Sequence, residues 1–273
     1  MLLSIFIICV LLGSVVGFSA GLLGIGGGLI IVPALVYLLP QLGIEPNLVM
    51  PMALATSLAT IVVTSLSAAL AHHRNSNIPW PLAKQLMMAI ALGSLLGAFI
   101  ADMLSVVALK NTFAIAVFLL SSYMFITINR AKKNKLINNN DDEKLPQNII
   151  VKCIGFFTGI LASLMGIAGG AILVPILSYF KVPLRQCIGV ATVSGMVVAI
   201  FGVSGYVIAG WGEENLPKYS LGYVYLPALL GIIITSSLFA PIGVKAASKL
   251  PVSTIKKAFA IFLMLVAVKM ILS

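Results

Sequence analysis

The sequence predicts an all-α polytopic membrane protein made of two inverted-topology repeats of about five helical segments each, with glycine-broken helices at the repeat interface. Three observations predict it. Of 273 residues, 60% are apolar and 9% charged, and several apolar runs reach the roughly 20 residues that cross a bilayer core about 30 Å thick. The stretch Gly24-Ile25-Gly26-Gly27-Gly28-Leu29-Ile30-Ile31-Val32-Pro33 returns as Gly166-Ile167-Ala168-Gly169-Gly170-Ala171-Ile172-Leu173-Val174-Pro175, seven of ten positions identical at an offset of 142. Lastly, Lys and Arg fall mostly on one face of the membrane only if the two halves are inverted.

The first repeat is read as residues 1–130, the linker as 131–149 and the second repeat as 150–273. The chain opens apolar, Met1 to Val16, with no basic residue ahead of it and no clear small-residue cleavage site, so it is read as a retained helix to about Leu23. Adjacent glycines then interrupt the run, and Leu29 to Leu39 resumes for eleven residues, roughly 17 Å as a helix, or half a bilayer. Pro40, Gly43 and Pro46 mark a loop. Full spans follow at Leu48–Leu70, Pro81–Met103 and Ala108–Asn129, the first two separated by the polar turn His72 to Pro79.

Residues 130–148 are polar and charged and read as a cytoplasmic linker without a core of its own. The second half replays the first. Ile149–Leu164 leads into the second glycine break and the short arm Ala171–Phe180, then spans at Ile188–Gly210, Tyr223–Val244 and Ala258–Ile271. Ala55-Thr56 matches Ala191-Thr192, and Lys110 with Phe113-Ala114-Ile115 matches Lys256 with Phe259-Ala260-Ile261. The halves are copies of one unit.

Basic residues decide between parallel and inverted copies, because cytoplasmic loops carry the excess. If each glycine-interrupted stretch crosses once, the copies are parallel, with ten Lys and Arg inside and seven outside. If each stretch goes in and back, the copies are inverted, with fourteen inside and only Lys110, Lys218 and Lys269 outside. The inverted arrangement is expected, with both termini external.

Broken helices at matching places in two halves point to a transporter's substrate site near the midplane. A helix that starts after a glycine run turns free N–H groups and its positive dipole end into that site, which suits an anion. Gly24, Gly166, Pro33 and Pro175 are read as helix breaks. Gly27 and Gly169 are expected to hold backbone shapes a side chain cannot share, or to admit a close neighbour. The candidate substrate-binding residues are Gly26, Gly27, Gly28 and Leu29 in the first arm and Ala168, Gly169, Gly170 and Ala171 in the second. The hydroxyls of Thr56, Ser57, Thr192 and Ser194 complete the set, although they serve equally as helix-to-helix hydrogen bonds. The spaced pairs Gly13/Gly17/Gly21, Gly93/Gly97 and Gly155/Gly159 are read as helix packing.

The doubled motif at 24–33 and 166–175, Ala55-Thr56-Ser57 and the basic turn His72-His73-Arg74 resemble the sulfite exporter TauE/SafE family of membrane permeases over nearly the whole chain. The resemblance implies a bacterial inner-membrane secondary transporter for a small sulfur-containing anion such as sulfite, a sulfonate or sulfoacetate. The second copy departs with Ala168 for Gly26 and Val193 for Ser57, which makes its half less polar. A related thiosulfate-uptake group uses cysteines, and neither glycine motif here contains one.

Other classes are disfavoured. Cys9, Cys153 and Cys187 have no metal or redox spacing, and His72-His73 lacks a third ligand, so no metal or cofactor is expected. The +10 net charge sits at segment ends, as topology requires, and does not imply nucleic acid. All seven acidic residues lie in loops or at span ends, which disfavours a proton-coupled cation carrier. An intramembrane enzyme would need a catalytic pair at depth, and none is seen. An anion channel is the alternative with the same fold. A passive assembly subunit would not need two matched breaks.

Overall fold

The computed structural model describes residues 2–23, 27–133, 148–249 and 252–272. Ten α-helices are formed there: α1 Leu2–Leu23, α2 Gly28–Leu38, α3 Pro46–Arg74, α4 Trp80–Met103, α5 Val106–Lys133, α6 Asn148–Leu164, α7 Gly170–Tyr179, α8 Leu184–Ala209, α9 Leu226–Lys249 and α10 Val252–Leu272. Four of the described stretches are long and apolar enough to cross a membrane: Pro46–Arg74, Trp80–Met103, Val106–Ile126 and Arg185–Gly212. The linker residues 134–147 lie outside the described residues; α5 runs on to Lys133, past the expected end at Asn129.

Apolar side chains cover the outside as well as the inside. Leu11, Met88, Leu119, Phe157, Leu238 and Leu265 are all exposed, as expected of helices whose outer surface meets lipid rather than water. Inside, α3 and α8 are central, packed on each other and, respectively, against the short arms α2 and α7. The remaining contacts interleave the halves: α4 packs on α6, its counterpart α9 packs on α1, and α5 packs on α10. Each half is thus completed by helices of the other.

The spaced glycines explain how close these crossings are. Gly93 and Gly97 of α4 lie against the backbone of Phe156 and Ile160 in α6, and Gly159 answers against Ile90. In the matching contact, Gly13 and Gly17 of α1 lie against Ile232 and Ser236 of α9. A side chain at any of these positions would meet backbone, so the helices would have to separate. The surroundings of Gly21 lie outside the described residues.

One element was not foreseen. Between α8 and α9 the chain forms a small antiparallel hairpin, β1 Ser220–Leu221 and β2 Val224–Tyr225, where a span was expected to begin at Tyr223. The helix starts only at Leu226, because Val224 and Tyr225 pair backward with Leu221 and Ser220 instead of coiling forward.

Candidate functional site

The second break is a left-handed helix cap. Gly166 has φ +60°; its N–H donates to Ser163 O at 3.1 Å and the Ile167 N–H to Ala162 O at 3.1 Å. That pair of bonds is the Schellman motif, and it stops α6 where glycine can take the positive φ. Four residues after Gly166 α7 begins, its first bonds running from Ala171 N–H to Ala168 O (3.4 Å), and from the N–H groups of Ile172 and Leu173 to Gly169 O (3.2 and 2.9 Å). In the first arm Ile30 and Ile31 donate to Gly27 O at 3.0 and 3.1 Å. The N–H groups of Gly28, Leu29, Gly169 and Gly170 precede these bonds and sit at the positive ends of α2 and α7. Gly24 and Gly26 lie outside the described residues.

Of the two alternatives expected for Gly27 and Gly169, close approach fits and a special backbone shape does not, and the reading of the prolines as breaks needs correcting. Gly27 and Gly169 are right-handed, at φ −75° and −56°, a shape any residue takes. Their value is space, tight at Gly27 against Val16 and looser at Gly169, where a Cβ would lie 3.3 Å from Thr158 and Val198. Pro33 and Pro175 do not break their helices but lie inside α2 and α7, at the sixth position of each. There each removes a single backbone bond and the helix continues.

The two breaks meet. A Cβ on Gly28 would sit 2.5 Å from Gly166 O and 3.0 Å from Ile167 Cα, so the start of α2 lies against the cap of α6. Ser57 of α3, fully buried, donates its hydroxyl to the same Gly166 carbonyl at 2.7 Å. Thr56, also fully buried, accepts the Tyr225 N–H on its hydroxyl at 3.0 Å. Both first-half hydroxyls are therefore tied to the second half.

The second half does not return these bonds, for reasons its sequence supplies. Val193 stands where the first repeat has Ser57, and has no hydroxyl. With Trp80-Pro81 aligned to Leu226-Pro227, Pro79 stands where the other repeat has Tyr225, and proline has no N–H to give. Thr192 turns its hydroxyl to Gly189 O of its own helix at 2.8 Å. Ser194 is 1% exposed and its hydroxyl has no partner. Its helix face is set by its neighbours: Ala191 contacts Gly170, Gly195 contacts Ala168 and Val198 contacts Gly169. Ser194 shares that stripe, toward the start of α7. Ala168 and Gly169 are buried and Gly170 and Ala171 half-buried.

Residues that the sequence reading did not single out frame this centre. Ser163, within the cap, is fully buried with an unpartnered hydroxyl. Its carbonyl accepts the Tyr206 hydroxyl at 3.3 Å. The Tyr206 ring meets Tyr223 edge to face at 6.5 Å, and the Tyr223 hydroxyl donates to Asp102 Oδ1 at 2.7 Å. Burial, with the Asp102 carboxylate beside it, holds the Tyr223 phenol well above its usual pKa, so it stays a donor. The run Tyr219-Ser220-Leu221-Gly222-Tyr223 after a loop was the available signal for the hairpin, but nothing in the sequence pairs Tyr223 with Asp102.

Two clefts are formed among the described residues, and the first borders the second break through Thr158, which lies 3.3 Å from a Cβ placed on Gly169. This first cleft, of about 340 Å³, is an apolar groove between α6 and α7 lined by Ile150, Phe157, Leu161 and Ile176. The other, of about 330 Å³, lies beside the hairpin. Among the described residues no group of three His, Cys, Asp or Glu side chains is placed to hold a metal ion. Lys84, Arg74, Lys152, Lys181 and Arg185 are exposed and sit near helix ends.

Apolar helices packed through glycine crossings, two of them starting from breaks that meet at the centre, define a polytopic membrane transporter. Over residues 9–270 the chain matches the family described as Sulfite exporter TauE/SafE, and it belongs to that family. It is 41% identical over 267 residues to a probable membrane transporter protein of Haemophilus influenzae, covering 97% of this chain and 98% of the relative. Similarity extends to a probable membrane transporter protein of Methanocaldococcus jannaschii (26% over 242 residues, 88% and 86% covered). Another, YunE of Bacillus subtilis, is 27% identical over 216 residues, 75% and 79% covered. No solved structure matches the chain. These relatives are named as transporters, not as enzymes.

Proposed function

We propose that this chain is a secondary transporter that moves a small anion (sulfite, a sulfonate or sulfoacetate) across a bacterial inner membrane by alternating access between two inverted repeats. The observation that carries the reading is Ser194: a buried hydroxyl without a partner, on the α8 stripe that faces the start of α7. A buried hydroxyl left unbonded is costly, and a ligand that accepts its proton removes that cost. The amide groups of Gly169 and Gly170 at the positive end of α7 supply the rest of an anion shell without a fixed cation. A neutral shell releases its ligand more readily than a buried positive charge would.

The family supports the sulfur anion as substrate. The hydroxyls divide the labour: Ser57 and Thr56 hold the halves together, whereas Ser194 remains for the ligand. The polar part of the site therefore lies in the second repeat, not shared equally between the repeats.

The test is thermal stability of purified protein across sulfite, sulfonates, carboxylates, and cationic and neutral solutes, since a ligand of the folded state raises its apparent stability. Sulfur oxyanions should raise the midpoint. Ser194→Ala should weaken that effect roughly tenfold or more in affinity, the loss of one hydrogen bond to a charged acceptor. A response to cations or neutral solutes alone would reject the anion.

A further inference from the structure

We propose that the hairpin around Tyr219–Tyr225 is a plug that closes the translocation path from one membrane face, and that the Tyr223–Asp102 hydrogen bond is its latch. The proposal rests on the transport reading above but not on the identity of the substrate.

Depth is the first reason. Thr56, which accepts the Tyr225 N–H, lies ten residues along α3 from Pro46, about 15 Å at the helical rise. The hairpin therefore reaches well down α3. The next residue, Ser57, holds Gly166 of the break. Plug and break are thus gripped by two consecutive side chains, at the same depth along α3.

Burial is the second reason. Connecting segments ordinarily run over the surface, yet Tyr223, Val224 and Tyr225 are 5%, 2% and 1% exposed. A loop this deep must satisfy its own backbone. Ser220 pairs with Tyr225 and Leu221 with Val224, Leu226 N–H donates to Tyr219 O at 3.1 Å, and Thr56 takes the Tyr225 N–H. Gly222, at φ +52°, lets the turn press on α8, since a Cβ there would lie 2.5 Å from Val207 O.

The latch is the third. Tyr223 ties the plug to Asp102 at the end of α4, on a helix that is otherwise held by α6 and α8. Through Tyr206 the same chain of contacts ends on the Ser163 carbonyl, which also takes the Gly166 N–H of the cap. Plug position and break geometry are mechanically joined. The 330 Å³ cleft lined by Ala59, Val203, Val207, Leu221, Val224 and Leu229 gives the hairpin room to shift without unfolding. The opposite repeat has only the short turn at 75–79, with Asn75 and Ser76 exposed, so the plug belongs to one face.

The experiment uses the full chain with Cys9, Cys153 and Cys187 replaced by Ala and Ala59→Cys as reporter, in right-side-out and inside-out vesicles without added anion. A membrane-impermeant maleimide should label the parent slowly. Tyr223→Phe and Asp102→Asn should each raise the rate several-fold, from one face only. Hydrogen exchange of peptides spanning 219–226 should quicken in the same variants, with α4 and α6 unchanged. Labelling at the parent's rate in both variants overturns the proposal, and so does an equal rise from both faces, which would mean general loosening. Because no anion is present, a failed anion assignment leaves these outcomes unaffected.

Discussion

Ser57 in the first repeat donates its hydroxyl to the Gly166 carbonyl in the second at 2.7 Å, across 109 residues of sequence and entirely out of contact with solvent. Gly166 is where α6 ends, and the start of α2 at Gly28 lies on the same carbonyl. One bond therefore fixes α3, the cap of α6 and the first short arm together. The matching bond is missing because Val193 stands in the other Ser57 position. At this pair of matched positions the first repeat grips the second, and not the reverse.

Removing that grip should be measurable. Ser57→Ala leaves a buried carbonyl without its donor and should cost about 1–3 kcal/mol of stability. Thr56→Val, which strands the Tyr225 N–H, should cost a similar amount. Thr192→Val should cost much less, since its hydroxyl only supplements a carbonyl of its own helix. Denaturant unfolding in detergent compares the three. Equal losses would mean that these hydroxyls do not differ as the geometry says.

The glycines should separate in the same way. Gly28→Ala drives a methyl to 2.5 Å from a backbone oxygen that cannot step aside, so membrane accumulation or transport should be lost. Gly170→Ala brings its methyl only to 3.2 Å from the Ala191 Cβ and should retain much of both. Gly166→Ala forces a positive φ on a residue with a Cβ, costing about 1–2 kcal/mol. Its new methyl would also press on Leu54 at 3.0 Å. An order in which Gly170→Ala is the most damaging would contradict the meeting of the two breaks.

The helices were legible because apolar length and glycine interruption are properties of a single segment. Leu48–Leu70, Pro81–Met103 and Ala171–Phe180 were expected within a few residues of α3, α4 and α7. The Gly13/Gly17 and Gly93/Gly97 crossings were legible for the same reason, as small residues at helical spacing have few other uses in a membrane. The hairpin was not. Its strands are two residues each, too short to show alternation, and Tyr223-Val224-Tyr225 runs on into an apolar span. The division of the hydroxyls was hidden too, because it depends on which residue of the other half stands opposite. Val193 and Pro79 became informative only once the repeats were packed together.

The last prediction concerns orientation, and three contacts bear on it beside the fourteen-to-three count of basic residues. In parallel repeats the α4–α5 turn and the 211–222 loop would lie on opposite faces, yet Tyr223 bonds Asp102. The end of α2 and the end of α10 would also be opposed, yet the Lys269 ammonium lies 5.2 Å from the centre of the Tyr37 ring. The start of α8 and the α3–α4 turn would likewise be apart, yet Gly189 touches the Asn77 carbonyl. Each contact joins groups that inverted repeats put on one face, and each supports that arrangement. The expected orientation therefore has residues 130–149 cytoplasmic, and 211–222 and both termini external. A cysteine placed in 211–222 should react with an impermeant reagent from outside intact cells, and one in 130–149 or 245–257 should react only after permeabilisation. External labelling of 245–257 would restore parallel repeats, and with them a different account of how the two breaks face the membrane.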